Sequence, residues 1–520
     1  MKLPKPKTSY ARVVLLGLIF LVQIVWFVVI FTNLSEYSFW VNSLLTLFSL
    51  LMILYLVTKN ESPAYRMSWI ILITLFPIFG GLLYFLFGNK RPTRKMNEKL
   101  SERRRLLPYH MEGIPKANEL LSARDPRVGS LAQYIDDFAD MPVYTNSDVE
   151  YYPSGEATMD TLLADLENAK TYIFIEFFII ESGKMTNAIF DILKRKAAEG
   201  LDVRLIYDDF GCLMRLPFDF DKQMEAVGIK CLKFNPFKPN FSMSYNTRDH
   251  RKIIVIDSKI AYTGGINLAD EYINVIERFG YWKDNMIKVT GPAIWNYTNL
   301  FLDMWNAFYP LDHSYDNFQN DQVMAETATM LKYPSEVEKS GFVQPFGDSP
   351  LDSEALGENI YRDILNIAED YVYIYTPYLV ISYELQTAMT LAAKRGVDVR
   401  LMTPGIPDKK LVYRMTRSYY QPLLEDGVKI YEYTPGFLHA KTFVCDDKVA
   451  TVGTINLDYR SLYLHFETST MLYFHPTIEK IKDDFLESQS VAKEIFIRDT
   501  HTSFMGQIWE ALLRLLAPFV

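Results

Sequence analysis

The sequence predicts an α/β protein in which two similar lobes, each a mixed sheet flanked by helices, follow an N-terminal helical membrane region. Three observations predict this fold class. The first ninety residues hold three long apolar stretches, one strand–helix pattern occurs twice after residue 130, and each copy ends in the same histidine motif. A chain of 520 residues is long enough for several such units.

The N-terminal region, residues 1–95, is predicted to hold two or three membrane helices. Its apolar stretches Val13–Phe31, Phe39–Val57 and Met67–Phe87 each approach the ~20 residues that a helix needs to cross a bilayer. A secretory signal peptide would be shorter and would not be followed by two further stretches. The third stretch contains Pro77 and two glycines, so the sequence leaves open whether it spans, bends back or lies in the interface.

Basic residues flank this region on both sides and bear on its orientation. Because positive charge accumulates on cytoplasmic loops, we expect a multi-pass membrane protein with its catalytic part on the cytoplasmic face. The basic run at 90–105 also suits contact with anionic lipid headgroups. A C-terminal amphipathic helix at 501–520 either lies in the membrane interface or packs on the catalytic core.

Composition narrows the function classes. The net charge of −9 argues against a nucleic-acid partner, which normally requires a basic domain or stripe. The three cysteines, Cys212, Cys231 and Cys445, lack the CxxC spacing of zinc sites and suit a reducing compartment. The cysteines therefore predict neither a disulfide framework nor a zinc site.

An internal duplication organises the rest of the chain. Tyr172–Ile180 and Tyr371–Val380 are predicted to be equivalent buried strands, each followed by a helix, a glycine and a further strand. The order of elements matches in the two copies, which predicts a pseudo-twofold arrangement. We expect a basic and polar linker at 96–130, a first lobe at 131–320 and a second lobe at 321–500.

Each copy ends in one motif with identical spacing: His, one residue, Lys, four residues, Asp, nine residues, Asn. Its members are His250, Lys252, Asp257 and Asn267 in the first copy and His439, Lys441, Asp446 and Asn456 in the second. On a strand, residues i and i+2 point to the same face, so the His and Lys of each copy should project together. A twofold arrangement would then assemble one site from two imidazoles, two ammonium groups and two amides.

That set of groups fits a tetrahedral phosphate. Lysine and asparagine side chains stabilise negative charge on the nonbridging oxygens. One histidine can attack phosphorus while the other protonates the leaving alcohol. The motif therefore predicts an enzyme that transfers phosphoryl-containing groups.

The two motifs resemble the HKD signatures of the phospholipase D superfamily, and nearly the whole chain resembles the bacterial cardiolipin synthases of that superfamily. The resemblance implies an active site between two α/β lobes, a bacterial plasma-membrane location, and a metal-free, cofactor-free mechanism through a phosphatidyl-histidine. In that family an acid downstream of each motif orients a catalytic histidine, and Asp284 and Glu467 match it. Asp257 and Asp446 belong to the motif, but we expect them to hold a strand turn in shape without touching substrate.

The resemblance also implies cardiolipin synthesis from two molecules of phosphatidylglycerol in the bilayer, with glycerol as the second product. In the expected order, His250 attacks the donor phosphorus, and His439 protonates glycerol and then deprotonates the acceptor hydroxyl. The motifs alone leave open a phospholipase D that hydrolyses the intermediate, a phosphodiesterase acting on nucleic acid, and an inactive lipid-binding scaffold. They also leave open the acyl-chain preference, the oligomeric state and the identity of the nucleophile.

Overall fold

The computed structural model describes residues 39–59, 62–76, 115–236, 246–309, 340–352 and 354–519, with isolated positions between 21 and 100 and at 318. The apolar stretch Val13–Phe31 and most of the segment between the lobes lie outside these residues. The helices are α1 Phe39–Val57, α2 Pro63–Leu75, α3 Pro115–Arg124, α4 Pro126–Ala139, α5 Gly155–Glu167, α6 Lys184–Ala198, α7 Phe220–Glu225, α8 Ile294–Phe308, α9 Leu356–Ile367, α10 Tyr383–Lys394, α11 Lys410–Ser418, α12 Tyr420–Glu425, α13 Tyr459–Tyr463, α14 Thr477–Ser490 and α15 Phe504–Leu516. The strands are β1 Asp148–Tyr152, β2 Tyr172–Phe177, β3 Asp202–Asp208, β4 Lys230–Phe234, β5 Arg248–Asp249, β6 Lys252–Ile256, β7 Ile260–Gly264, β8 Tyr281–Lys283, β9 Met286–Thr290, β10 Phe342–Asp348, β11 Tyr371–Tyr375, β12 Asp398–Pro404, β13 Lys429–Tyr433, β14 Gly436–Leu438, β15 Thr442–Cys445, β16 Val449–Gly453, β17 His465–Tyr473 and β18 Ala492–Ile495.

Two sheets repeat one strand order. The first runs β1-β9-β7-β6-β2-β3-β4, and the second runs β10-β17-β16-β15-β11-β12-β13 with β18 added at its far edge. In the first sheet β2, β3 and β4 pair in parallel and the other neighbours are antiparallel; β11, β12 and β13 repeat this in the second. The duplication read from the sequence is therefore present in the topology of the protein.

A single core joins the two sheets. Every residue of β2 is buried, as in sheets covered by helices on both faces. Helix α8 is buried along almost its whole length and packs against β6 of the first sheet and β10 of the second. Its Phe301 ring stacks on Phe174 of β2 with ring centroids 4.5 Å apart. The core that α8 completes holds the lobes in one fixed relation.

Two short strands cross between the lobes. β5, from the first half of the chain, pairs with β17 of the second sheet, and β14, from the second half, pairs with β8 of the first half. These crossings correct the expectation that each His–Lys pair lies on one continuous strand. His250 falls between β5 and β6, and His439 falls between β14 and β15, because the chain leaves one lobe and joins the other at the motif.

The N-terminal part differs from the sequence-based expectation in one respect. Residues 115–130, assigned to a polar linker, form α3 and the start of α4, whose apolar face is buried against β10 and α9. Among the residues that the structure describes, no helix has both the length and the apolarity needed to cross a membrane.

The C-terminal helix α15 lies against the N-terminal helices. The hydroxyl of Ser68 on α2 donates to the carbonyl oxygen of Leu515 at 2.7 Å. Leu513 is the buried residue of α15, whereas Phe504 and Trp509 are 74% and 47% exposed. The helix also packs on α11 of the second lobe, where Arg514 donates to the hydroxyl of Ser418 at 3.2 Å, so it contacts the catalytic core and leaves part of its apolar face exposed.

Candidate active site

The crossing strands bring the two motif histidines to the boundary between the lobes. The backbone amide of His250 donates to the carbonyl oxygen of Phe466 in the second lobe at 2.9 Å. The amide of His439 donates to the carbonyl oxygen of Lys283 in the first lobe at 2.7 Å. Each histidine is thereby anchored beside the acid of the opposite lobe, since Glu467 follows Phe466 and Asp284 follows Lys283.

The side chain of each histidine also contacts the acid of the opposite lobe. Nδ1 of His250 lies 3.0 and 2.9 Å from the two carboxylate oxygens of Glu467, and Nδ1 of His439 lies 2.7 Å from Oδ2 of Asp284. Both acids are fully buried. A carboxylate on Nδ1 favours the tautomer that carries its proton there, which leaves Nε2 with its lone pair. At His439 the Lys441 ammonium, which can only donate, also lies 2.9 Å from Nδ1 and competes with Asp284. Among the described residues, no hydrogen bond to either Nε2 is found.

The two acids are held differently, and the difference explains one divergence between the motif copies. A Cβ atom at Gly265 would lie 2.0 Å from Oδ1 of Asp284, so this position has room only for hydrogen. The equivalent Thr454 instead donates its hydroxyl to Glu467, as does Ser461 at 2.6 Å. A carboxylate with these donors stays ionised and oriented.

Each motif lysine contacts the backbone of the histidine of its own motif. Lys252 Nζ donates to the carbonyl oxygen of His250 at 2.7 Å, and Lys441 Nζ donates to that of His439. Burial lowers the pKa of Lys252 to about 8. Burial, with the neighbouring Lys252 charge, lowers the pKa of Lys441 to about 7. At neutral pH Lys252 is therefore mostly protonated, whereas Lys441 is about half protonated and is the first of the two to lose its charge.

The imidazoles are neutral in the empty site. Burial lowers the pKa of His250 to about 3, although Glu467 opposes the shift. Burial and the adjacent lysine lower the pKa of His439 to about 4, against the effect of Asp284. A phosphodiester anion placed between the rings opposes these shifts, because it favours the protonated form of a neighbouring imidazole. The free site thus holds two uncharged imidazoles, and an anion bound between them would favour the protonation of one.

Asp257 and Asp446 lie at the far ends of their strands, away from the histidines. The carboxylate of Asp257 accepts hydrogen bonds from the amides of residues 170–172 at 2.7, 2.8 and 2.9 Å. Asp446 accepts from the amides of residues 369–371 at 2.7, 3.0 and 2.7 Å. Both aspartates have positive φ, at 54° and 52°. These contacts fasten a turn to the start of a neighbouring strand.

The two motif asparagines are placed unequally. Asn267 donates to the hydroxyl of Tyr272 at 2.7 Å and accepts from the amide of Ile179 at 3.1 Å. Within the described part of the chain, the buried Oδ1 of Asn456 has no hydrogen-bond partner. The side chain of Asn456 is therefore the more available of the two for a substrate.

Two aromatic residues beside the histidines were not found from the sequence. His465 lies beside His250 with ring centroids 5.6 Å apart, and Trp282 lies beside His439 at 5.5 Å. Each stands two residues before the acid of its lobe, on the same strand face. That spacing was the signal that could have identified them once the acids were chosen.

His250, His465 and Glu467 also form the one group of possible metal ligands found among the described residues, with one ligand atom each within 4.8 Å of the others. Both oxygens of Glu467 already accept hydrogen bonds from His250, and hydroxyls add to them. A metal here would remove the bond that orients the His250 ring. The donor set therefore fits an oriented imidazole better than a metal centre.

Duplicated lobes that share two histidine–lysine pairs define an enzyme of the phospholipase D type. A family model described as "Cardiolipin synthase, PLD-like domain" matches residues 162–305 and 361–488, and a model described as "Phospholipase_D-nuclease N-terminal" matches residues 44–89. The chain belongs to the cardiolipin synthase family of the phospholipase D superfamily.

Individual relatives agree with this assignment. The cardiolipin synthase of Geobacillus kaustophilus is 34% identical over 494 residues, covering 93% of this chain and 96% of the relative. Cardiolipin synthase 1 of Bacillus anthracis is 32% identical over 516 residues, covering 96% and 99%. An uncharacterized protein of Streptococcus mutans is 42% identical over 443 residues, covering 85% and 94%.

A solved structure shares the fold. The phosphatidylserine synthase of Haemophilus influenzae Rd KW20 is 16% identical and superposes with a TM-score of 0.55, covering 75% of this chain and 96% of that one. At this identity the likeness concerns the fold alone.

Proposed function

We propose that this protein is a membrane-bound phosphatidyltransferase that makes cardiolipin and glycerol from two molecules of phosphatidylglycerol. The observation that carries the proposal is the reciprocal pairing of two buried imidazoles, each oriented through Nδ1 by a carboxylate of the other lobe. Two such rings supply a nucleophile and an acid–base partner for one phosphorus atom.

In the first step, Nε2 of His250 attacks the phosphorus of the donor and the bond to the glycerol oxygen breaks. Nε2–H of protonated His439 gives its proton to that oxygen, and glycerol leaves. Lys252, Lys441 and Asn456 stabilise the nonbridging oxygens as charge builds on them. The product is a phosphatidyl group bonded to His250, with His439 neutral.

In the second step, His439 takes the proton of a terminal hydroxyl on a second phosphatidylglycerol. The resulting oxygen attacks phosphorus, the bond to His250 breaks, and cardiolipin is released. His439 is then protonated again, so the cycle consumes no proton. Transfer exceeds hydrolysis when the acceptor is held in place and water is kept out.

The location of the enzyme belongs to the same proposal. The relatives named cardiolipin synthase and the match of residues 44–89 to an N-terminal family model support a multi-pass protein of the bacterial plasma membrane. The exposed apolar face of α15 beside α2 supports an active site close to the bilayer surface. The basic residues that flank the N-terminal region favour the cytoplasmic face.

Purified full-length protein in mixed micelles with labelled phosphatidylglycerol tests the proposal. Cardiolipin and glycerol in equal amounts are expected, together with a labelled histidine after acid-free quenching and peptide mapping. His250→Ala and His439→Ala should abolish product, whereas His501→Ala, which removes an exposed histidine, should not. Phosphatidic acid as the main product would instead identify a hydrolase, and cleavage of single-stranded DNA would identify a nuclease.

A further inference from the structure

The two lobes carry opposite charges at one equivalent position. Four residues after the motif asparagine stands Glu271 in the first lobe and Arg460 in the second. Glu271 is neutralised by Arg215 at 3.2 Å and Arg278 at 3.0 Å. Arg460 has no hydrogen-bond or ion-pair partner for its guanidinium among the residues that the structure describes. The symmetry of the site is therefore broken by one unmatched positive charge.

Arg460 lies close to the catalytic centre. It is the second residue of α13, which packs on β17, and its neighbour Ser461 donates a hydrogen bond to Glu467 at 2.6 Å. Its side chain is partly buried and interacts electrostatically with Arg248, which precedes His250 by two residues. Arg460 thus stands on the second-lobe side of the site.

One carboxylate, that of Asp458, acts on this charge without forming an ion pair with it. Burial lowers the pKa of Arg460, Asp458 raises it, and Arg248 lowers it. Asp458 also caps α13 through the amide of Ser461 at 2.9 Å. Arg248 has its own counter-ion in Asp208 at 3.6 Å. A partly buried guanidinium that has no ion pair within the described residues and lies near a second arginine is suited to receive an anion.

The proposed reaction supplies such an anion. Two phosphodiesters enter the site: the donor phosphate lies between the histidines and their lysines, and the acceptor phosphate stays intact, separated from the attacking hydroxyl by a glycerol bridge. Helix α13 also packs on the C-terminal turn Ala517–Phe519, next to the contact between α15 and α2. An acceptor held in the bilayer on this side would bring its phosphate to α13.

We propose that Arg460 binds the phosphodiester of the acceptor lipid and so forms a second phosphate subsite beside the catalytic one. This inference rests on the proposed function, since it assigns the acceptor of the same reaction. Arginine suits the role because its planar group makes two parallel hydrogen bonds to phosphate oxygens. Arg248 adds positive potential without direct contact.

The test compares two acceptors with one donor. Full-length enzyme in mixed micelles receives phosphatidylglycerol and labelled glycerol, so that transfer to lipid gives cardiolipin and transfer to glycerol gives labelled phosphatidylglycerol. Arg460→Gln is expected to lower the rate of cardiolipin formation roughly 10- to 100-fold and to leave glycerol exchange within about twofold. Arg460→Lys should recover part of the loss, because it keeps the charge and loses the paired geometry.

Matched controls separate the possible outcomes. Lys480→Gln removes an exposed cation from the same lobe and should change neither rate. If Arg460→Gln loses cardiolipin formation and glycerol exchange equally, the residue acts on the donor or on folding, and the inference is overturned. The inference is also overturned if Arg460→Gln loses neither reaction. Failure of wild-type enzyme to make cardiolipin would instead overturn the proposed function.

A final arm distinguishes lipid phosphate from free phosphate. Inorganic phosphate is added at constant ionic strength to wild-type enzyme and to Arg460→Gln. Inhibition of cardiolipin formation that is weaker for the variant and relieved by more phosphatidylglycerol supports a shared subsite. If phosphate no longer inhibits Arg460→Gln but this variant makes cardiolipin at the wild-type rate, then Arg460 binds free phosphate and not the acceptor lipid. That result would overturn the inference.

Discussion

The reciprocal pairing of histidines and acids predicts which substitutions act at the same step. Glu467→Gln removes the negative charge on Nδ1 of His250 without changing the shape of the side chain, and Asp284→Asn does the same for His439. An amide nitrogen facing Nδ1 favours the wrong tautomer, with the proton on Nε2 and no lone pair for phosphorus.

The size of the effect follows from the geometry. The bonds are 2.9 and 2.7 Å long and both acids are fully buried, so solvent cannot replace them. A hydrogen bond to a charged group contributes about 1.5–3 kcal/mol, and loss of the correct tautomer of a catalytic histidine costs up to roughly 10⁴-fold in rate. We expect each variant to lose about 10²- to 10⁴-fold in turnover.

A donor with a p-nitrophenyl headgroup shows which step is affected. Its leaving group departs without a proton, so formation of the phosphatidyl-enzyme needs the nucleophile and not the acid. With His250 as nucleophile, the burst of p-nitrophenolate should survive in His439→Ala and Asp284→Asn and disappear in His250→Ala and Glu467→Gln. Glu479→Gln, an exposed acid of the second lobe, is the control. If Glu467→Gln instead behaves like His439→Ala, its lobe partner, the reasoning is refuted.

Three further predictions follow from the same site. Between about pH 6 and 9, the kcat/KM of wild type should fall relative to that of Lys441→Arg as pH rises through about 7, because Lys441 loses its proton there and an arginine does not. A ratio that stays constant with pH would contradict a lowered pKa for Lys441. Asp257→Ala should lower the free energy of unfolding by roughly 2–4 kcal/mol, because three hydrogen bonds to the backbone are lost and the alanine must adopt a positive φ. Turnover per folded molecule should not change. Calorimetry measures the stability and the transfer assay measures the turnover. Gly265→Ala should lower turnover at least about 10²-fold by displacing Asp284, and wild-type turnover in a folded variant would contradict the contact.

Much of the site could be predicted because the motif repeats. His250 and His439 were identified as a pair from identical spacing in two copies, and the structure places both at the lobe boundary. The acids were chosen by resemblance, with no indication of which histidine each would contact. That information depends on β5 and β14 crossing between lobes, and strands of two or three residues leave no periodic signal in a sequence.

Two further features could not be predicted from the sequence because they depend on tertiary packing. Residues 115–130 looked like a polar linker because their composition is mixed, yet Leu121 and Val128 are buried, and α4 packs against β10 and α9 of the second lobe. The unequal roles of Asn267 and Asn456 also follow from context, since Tyr272 occupies the amide of the first and nothing described occupies Oδ1 of the second. The residues directly beside the two asparagines are the same, but Tyr272 stands five residues after Asn267 where Ser461 follows Asn456, and only the fold shows that this tyrosine reaches the amide.

The two motif histidines come from different lobes, so their alignment depends on the contacts between the lobes. In this protein those contacts include the residues on either side of Asp284. Asp284 is flanked by Lys283, which donates to Asp484 of α14 at 2.5 Å, and by Asn285, which donates to Thr442 of β15 at 2.8 Å. The residues on either side of one catalytic acid are thus fastened to the lobe whose histidine it orients. Because misplacement by about 1 Å can cost 10²-fold in rate, a shift between the lobes would disturb both histidines together. The bonds of Lys283 and Asn285 therefore fix the position of Asp284 as well as joining the two lobes.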